Sequence, residues 1–269
     1  MNKKILLIAV MMLTSIGAFA QTQFSIYAGG AFPMGKFKEG ELKNKEPNKW
    51  VLMEEKGTNG FAGIGFNVGM DLMFPIASVD GLGIIVGADF FYNGYNSELK
   101  DWFNDLSDND DDDDDKDGYE ITVSHKPRFM NIPLMVGARY NYEINDGFGI
   151  FAEAGVGANL RMISSFKMDY SYSYYDPYYG YVEGEESREL TYNKAVTFSF
   201  KLGAGVMFAE HFSVGLDYYA LGSAKVTGKI KSSSDSDDDD YYKGDDSEKF
   251  KGKNAFSCSE LVLRIGYHF

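Results

Sequence analysis

The sequence predicts an all-β protein: an eight-stranded antiparallel up-and-down transmembrane β-barrel with short periplasmic turns and long extracellular loops. Apolar and polar residues alternate with a period of two in segment after segment, short and long connections alternate along the chain, and one face of most strands is rich in glycine. After the N-terminus, no apolar stretch is long enough for a transmembrane helix. A membrane crossing by this chain therefore requires a closed barrel.

The N-terminus has the features of a cleaved secretory signal peptide. Lys3 and Lys4 form a short basic region, an apolar run follows, and Ala18-Phe19-Ala20 matches the small-x-small pattern that signal peptidase cuts. The run is shorter than a membrane anchor requires. We therefore expect residues 1–20 to be a signal peptide and residues 21–269 to form an outer-membrane β-barrel domain.

Composition argues against several classes of function. The chain has 40 Asp and Glu residues against 26 Lys and Arg residues, and this net charge of -14 repels nucleic acid. Cys258 is the single cysteine, so an intrachain disulfide and a cysteine-based zinc site are both excluded. We interpret Cys258 as a small strand residue.

The alternation delimits eight strands. Their approximate ranges are 23–32, 59–74, 82–97, 127–143, 148–163, 195–208, 212–226 and 255–269. Three connections are short, at 75–81, 144–147 and 209–211. Four connections are long, at 33–58, 98–126, 164–194 and 227–254. Short turns on one side and long loops on the other are typical of bacterial outer-membrane barrels.

The two faces of each strand indicate which side points inward. In the last strand Leu263 and Ile265 share one face, while Glu260, Arg264 and His268 share the other. Small residues suit the crowded interior of a narrow barrel, whereas a continuous aliphatic face suits lipid. Tyr and Phe residues near strand ends would form the interfacial girdles. The alternative with the same alternation is a soluble β-sandwich or barrel.

Two segments carry a resemblance to known families. The alternating C-terminal residues resemble the assembly signal that the barrel-assembly machinery reads in outer-membrane barrels; they are Leu261, Leu263, Ile265, Tyr267 and Phe269. The segment around Ile132-Pro133-Leu134, from Arg128 to Tyr140, resembles the fourth strand of the small PorT-like barrels of Bacteroidetes. This resemblance implies one outer-membrane barrel domain over the mature chain, and it brings no catalytic motif.

Charged residues on the glycine-rich face form the most structured candidate site. They are Asp71, Asp89, Arg139, Glu153, Arg161, Lys201, Asp217, Glu260 and Arg264. Counting outward from the tight turn at 144–147 places Arg139 opposite Glu153. Because an unpaired buried charge costs several kcal/mol, the near balance of acids and bases predicts an ion-pair network that fills the interior. A gated pore and a proton-labile plug are the functional alternatives.

The second long loop contains a partial calcium motif. Asp113, Asp115 and Asp117, followed by Gly118, match the opening of a calcium loop, but Ser124 stands where a bidentate Glu belongs. A solvated acidic tract is the simpler interpretation. We expect no cofactor, and Ca²⁺ held loosely by the acidic loops is the one candidate ion. Such ions would bridge the loops to lipopolysaccharide.

The third long loop carries seven tyrosines between residues 170 and 181. Exposed tyrosine with serine and glycine is typical of adaptable recognition surfaces. The same pattern predicts two strands that extend above the membrane and turn near Asp176-Pro177. The two interpretations are compatible.

Catalysis has little support. Ser124 and His125 are adjacent in a strand and point to opposite faces, so they cannot form a dyad directly. We predict a non-enzymatic outer-membrane protein with a structural or surface-recognition role and a plugged interior. Its expected partners are outer-membrane lipid and lipopolysaccharide, the barrel-assembly machinery and an extracellular ligand, and not nucleic acid. The alternatives are a narrow channel or small-solute binder, and an outer-leaflet lipid-modifying enzyme.

Overall fold

The structure, a computed structural model, describes residues 22–39, 60–107, 118–178, 180–209, 211–236 and 244–269. The strands are β1 (Gln23–Pro33), β2 (Ala62–Pro75), β3 (Leu82–Tyr95), β4 (Gly118–His125), β5 (Phe129–Asn145), β6 (Phe148–Ile163), β7 (Phe166–Asp176), β8 (Gly180–Tyr192), β9 (Ala195–Phe208), β10 (Phe212–Ser236) and β11 (Gly244–His268). Helix α1 spans Ser97–Ser107, and a short 3-10 helix spans Gly35–Phe37. The predicted signal peptide, residues 1–20, lies outside these ranges.

Eight of the strands pair in a closed ring. The order is β1-β2-β3-β5-β6-β9-β10-β11, and β11 pairs back onto β1, with Ala28 opposite Ile265. Each of these pairings is antiparallel, which confirms the predicted all-β antiparallel class. The closed order pairs the backbone groups of these strands with one another, as a hydrocarbon environment requires.

Three short turns lie at one end of the ring, as the alternating connection lengths predict. They join β2 to β3, β5 to β6 and β9 to β10. In the turn between β5 and β6, Gly147 adopts a φ of 86°, a left-handed conformation that glycine reaches without a steric penalty. This turn sets the register that places Arg139 opposite Glu153.

The ring has an apolar exterior and a polar interior. Leu263 and Ile265 are exposed on β11, whereas Val262 and Arg264, which alternate with them, are buried. The same order holds on β9, where Phe198 is 68 % exposed and its neighbour Ser199 is completely buried. A water-soluble barrel would present the opposite pattern, so this arrangement is the one expected for a ring surrounded by lipid.

The same hydrogen-bonded sheet extends beyond the end of the ring opposite the short turns. There the outer half of β10 pairs with β8, β8 pairs with β7, and β7 pairs with β4. The outer half of β11 pairs with β10 on the other side. We call these five segments, with α1, the outer sheet.

The outer sheet corrects the predicted loops. Residues 227–236 and 244–254, predicted as parts of a long loop, are strands, because β10 continues to Ser236 and β11 begins at Gly244. Residues 98–126 contain α1 and β4. The third long connection instead matches the prediction of two extended strands that turn near Asp176-Pro177, because β7 and β8 form a hairpin in which Asp176 pairs with Gly180. Serine, lysine and aspartate dominate the outer half of β10, so no apolar row marks it as a strand in the sequence.

The described residues contain two separate hydrophobic cores. The first lies inside the ring towards its outer end and consists of Ala31, Phe37, Ala62, Phe91, Phe129, Tyr219, Leu221, Cys258 and Val262. The second lies in the outer sheet and consists of Phe61, Leu99, Phe103, Ile121, Phe166, Met168, Tyr170 and Leu190. Neither of the two described helices has the length and apolar character needed to cross a bilayer.

Candidate functional site

Glu153 lies at the centre of the charged cluster inside the ring. Its Oε2 accepts hydrogen bonds from Arg139, at 2.8 Å from Nε and 2.5 Å from Nη2. Its Oε1 forms an ion pair with the Lys201 ammonium, at 2.6 Å from Nζ, and a second ion pair with the Arg264 guanidinium. The Glu153 side chain has no solvent exposure. One buried carboxylate therefore joins three cations from β5, β9 and β11.

Two further carboxylates neutralise this cluster. Asp71 Oδ2 lies 3.3 Å from Arg139 Nη2, and Asp217 forms an ion pair with Arg264. Three acids thus match three bases, as burial in a low-dielectric interior requires. We call Asp71, Arg139, Glu153, Lys201, Asp217 and Arg264 the central ion cluster.

Strand register explains how these long side chains meet. Arg139 on β5 is the direct partner of Glu153 on β6, and Gly203 on β9 is the next partner across the sheet. Gly203 in turn pairs with Asp217 on β10. A Cβ atom at Gly203 would collide with the side chain of Asp217 and would crowd that of Glu153. Glycine at this position leaves the space that the carboxylates occupy.

Aromatic rings support the two guanidinium groups. Arg264 Cζ lies 4.0 Å from the centroid of the Tyr27 ring, and Arg139 Cζ lies 5.5 Å from the same centroid. Arg139 also lies 5.0 Å from the centroid of the Phe151 ring. Cation–π contacts of this kind favour planar arginine over lysine.

The other three predicted interior residues are buried but stand apart from this cluster. Asp89 accepts hydrogen bonds from Tyr219 Oη at 3.0 Å and Asn67 Nδ2 at 3.4 Å. Glu260 accepts one from Asn93 Nδ2 at 3.2 Å. The structure thus brings six of the nine predicted residues into one cluster and places Asp89, Arg161 and Glu260 nearer the outer end.

Arg161 connects the ring to the outer sheet. Its Nη2 donates a hydrogen bond to the carbonyl of Gly222 at 2.7 Å. Asn159 and Thr197 donate to the neighbouring carbonyl of Leu221, at 3.0 Å and 2.5 Å. These side chains hold β10 at the point where it leaves the ring.

The predicted charge network did not include the uncharged polar residues of the interior. The fully buried ones include Ser25, Asn67, Asn93, Asn131, Asn159 and Ser199. They occupy the same alternating, inward-facing positions as the predicted charges, so the strand alternation could have identified them. The prediction considered only charge, and amides were left out.

The predicted tyrosine loop ends in an exposed aromatic tip. Tyr172 and Tyr174 stack with ring centroids 6.1 Å apart, and Tyr175 meets Tyr181 edge to face at 5.3 Å. Tyr178 in the turn is 92 % exposed. Tyr172, Tyr174, Tyr175, Tyr178 and Tyr181 are called the tyrosine tip below. Tyr170, in contrast, is buried in the second core.

Asp169 in the outer sheet is influenced by both Ser124 and His125. Burial by itself raises the pKa of Asp169. Hydrogen bonds from Lys167 and Ser124 lower this pKa by a larger amount, so its net shift is downward. Ser124 therefore donates to the carboxylate of Asp169. No hydrogen bond joins Ser124 to His125 among the described residues.

The predicted calcium ligands Asp113, Asp115 and Asp117 lie outside the described residues. Within the described part of the chain, no group of three or more His, Cys, Asp and Glu side chains is arranged to hold a metal ion.

Comparison with known proteins identifies a family. The family model described as outer membrane protein beta-barrel domain matches residues 6–269. No curated protein sequence matches the chain. The narrower resemblance to PorT-like barrels stays a prediction.

Several solved structures share a general likeness. Ail, the attachment invasion locus protein of Yersinia pestis, solved with the heparin analogue sucrose octasulfate, is 13% identical with a TM-score of 0.35, over 93% of this chain and 99% of that chain. Neisserial surface protein A is 10% identical with a TM-score of 0.40, over 92% and 95%. A major outer membrane protein from Thermus thermophilus is 14% identical with a TM-score of 0.33, over 92% and 99%. These scores are low, so no function is transferred from these proteins.

Proposed function

Because this chain belongs to the outer membrane protein beta-barrel domain family, which places it in the outer membrane, we propose that its ring of eight strands spans that membrane as a plugged barrel and holds the outer sheet at the cell surface for recognition. The short turns then face the periplasm, and the tyrosine tip faces the outside. In this proposal the barrel anchors the protein in the membrane, and the outer sheet provides the binding surface.

The second hydrophobic core is the single observation that carries the recognition role. Phe103 of α1 stacks on Phe166 of β7 with ring centroids 5.7 Å apart, and both residues are buried. Loops that only connect barrel strands do not need a core of their own. A folded layer outside the ring gives the tyrosine tip a fixed platform, which lowers the entropy lost on binding.

The chemistry of the hairpin favours a cationic partner. Glu183 and Glu185 are exposed on β8, next to Tyr181 at the tip. Tyrosine faces and carboxylates together bind lysine and arginine side chains through cation–π contacts and ion pairs. We therefore propose that the extracellular ligand presents basic residues to this hairpin.

Binding of a nine-residue arginine peptide tests this proposal. The full chain in lipid nanodiscs is compared with the double variant Tyr175→Ser/Tyr181→Ser, which keeps the net charge unchanged. We expect binding to weaken about tenfold, because both exposed rings are lost. Tyr142→Ser, at an exposed position near the opposite end of the ring, is the matched control. Equal affinity in the double variant and the control would reduce the interaction to non-specific charge attraction and contradict the proposal.

Large buried side chains fill the interior of the ring, which argues against a channel. Arg139, Arg264 and Tyr219 are among the largest fully buried side chains, and they cross the interior from different strands. An eight-stranded ring is just wide enough for such side chains to fill. We expect no stepwise conductance in planar bilayers. Reproducible single-channel steps that change in the variant Glu153→Gln would contradict the plugged barrel and indicate a narrow pore.

The remaining partners follow from the membrane location and are also proposals. The outward row of Leu261, Leu263, Ile265, Tyr267 and Phe269 would present the assembly signal to the barrel-assembly machinery. The apolar exterior would contact lipid, and the acidic outer sheet would meet lipopolysaccharide through divalent cations. We propose no catalytic activity.

A further inference from the structure

Two buried carboxyl groups inside the ring lack a cation. Within the described residues neither Asp89 nor Glu260 forms an ion pair, whereas Asp71, Glu153 and Asp217 each do. Asp89 has two donors, the Tyr219 hydroxyl and the Asn67 amide. Glu260 has only the amide of Asn93. Of these five carboxyl groups, Glu260 is therefore the least compensated.

Glu260 and its partner Asn93 each retain one unsatisfied oxygen. Glu260 Oε1 and Asn93 Oδ1 are both buried without a hydrogen-bond partner among the described residues. Both atoms are acceptors, so they cannot bond to each other as they stand. The amide cannot rotate to relieve this, because Asn93 Nδ2 already donates to Glu260 Oε2 and to the Gly63 carbonyl, each at 3.2 Å. One hydrogen atom between the two oxygens would satisfy both.

The charge balance of the interior requires the same hydrogen atom. The central ion cluster is neutral, with three acids and three bases. Arg161 then remains as one base against the two acids Asp89 and Glu260. Among the buried residues that the structure describes, five carboxylates against four Lys and Arg cations leave one excess negative charge, and a buried charge of this kind is strongly unfavourable. A proton on Glu260 removes it.

We propose that Glu260 is a proton-binding site and forms a reciprocal acid–amide pair with Asn93. The Oε1 hydroxyl of the neutral acid donates to Asn93 Oδ1, while Asn93 Nδ2 donates to Oε2. The pair joins β11 to β3 across the interior. Glu260 is a positioning residue here, because it links two strands and touches no substrate.

The surroundings of Glu260 retain this proton. Tyr219 on β10 is its direct strand partner, Asp89 on β3 bonds to that tyrosine, and Arg161 on β6 and Cys258 on β11 are the other titratable groups that face this level. None of them forms an ion pair or a hydrogen bond with Glu260 among the described residues. On the outer side, Phe37 and Phe129 meet edge to face at 5.3 Å within the first core.

Loss of the proton has a measurable consequence for stability. The unfolded chain releases the proton of a solvated glutamic acid in the acidic range, whereas the folded ring retains it. Unfolding therefore releases one proton, and the stability contributed by the pair falls as the pH rises, by up to tenfold in the unfolding constant per pH unit. The variant Glu260→Gln keeps a neutral amide that pairs with Asn93, so this contribution to the pH dependence disappears.

Infrared spectroscopy of the full chain in lipid, with ¹³C-labelled glutamate, tests the assignment. We expect a carbonyl band of a protonated carboxylic acid that shifts on labelling and is absent in Glu260→Gln. Glu143→Gln, at an exposed position near the end of β5, is the matched control and retains the band. Absence of the band in the unsubstituted protein, or its persistence in Glu260→Gln, would overturn the proposal.

Urea titration between neutral and alkaline pH gives an independent measurement. The unsubstituted protein is expected to lose stability with rising pH more steeply than Glu260→Gln. Equal slopes would contradict the proton site. The titration is repeated with sodium replaced by a bulky organic cation. A loss of stability on this replacement would show that a metal ion, and not a proton, satisfies the two oxygens.

Discussion

Arg161 donates a hydrogen bond to the carbonyl of Gly222 across the outer end of the ring, at 2.7 Å. Gly222 has a φ of 82° and lies inside the irregularity between Ala220 and Ser223, where β10 changes its register with β11. The ring and the outer sheet share β10, so this contact lies at the junction between them.

The conformation of Gly222 makes it sensitive to substitution. In Gly222→Ala, the positive φ is strained and the new Cβ would collide with the Phe198 carbonyl and the Thr197 side chain. We expect a loss of more than about 1 kcal/mol in the free energy of unfolding, measured by urea titration. Gly180→Ala is the matched control, because Gly180 also has a positive φ but no atom within 4 Å of the added Cβ. Equal losses in the two variants would show that the packing at Gly222 is unimportant.

The central ion cluster depends on Glu153. In Glu153→Gln the charges of Arg139, Lys201 and Arg264 exceed those of the remaining carboxylates. We expect a loss of about 3–5 kcal/mol in the free energy of unfolding in detergent or lipid, because an uncompensated buried charge remains. Glu143→Gln, at an exposed position, should change this energy by less than about 0.5 kcal/mol. A midpoint for Glu153→Gln equal to that of the control would disprove the structural role of the cluster.

The second core should be separable from the ring. In Phe103→Ala, the stacking on Phe166 is lost, and truncation of a buried phenylalanine costs about 3–5 kcal/mol. We expect proteolysis of intact cells to cut the hairpin of β7 and β8, while the ring still resists unfolding in cold detergent. Tyr178→Ala, at an exposed position, should leave the cleavage pattern unchanged. If Phe103→Ala is cut no faster than Tyr178→Ala, the outer sheet does not depend on this core.

The ring strands were predictable because their side chains alternate between the exposed apolar exterior and the buried interior. On β11, outward Leu263 and Ile265 alternate with inward Val262 and Arg264, and a strand buried on one face must show that period. The outer half of β10 shows no such row. Ile230 packs against the second core, whereas Lys229 and Lys231 beside it are exposed, so one apolar residue is all that marks the strand.

The candidate site was predictable where local geometry decides it. A tight turn fixes the register of β5 and β6, so counting from the turn places Arg139 opposite Glu153. The approach of Arg264 to Glu153 depends on closure of the ring between strands far apart in the sequence, which alternation does not encode. The pairing of Asn93 with Glu260 likewise crosses the interior.

Photolabelling from within the bilayer tests the orientation of the ring most directly. The unsubstituted chain is reconstituted with a phospholipid that carries a photoactivatable group on its acyl chain, and the adducts are located by mass spectrometry. The account predicts adducts at outward residues such as Ile64, Val196 and Leu263, and none at Asp71, Glu153 or Arg264. Adducts at the charged positions, or their absence from the whole apolar row, would contradict it.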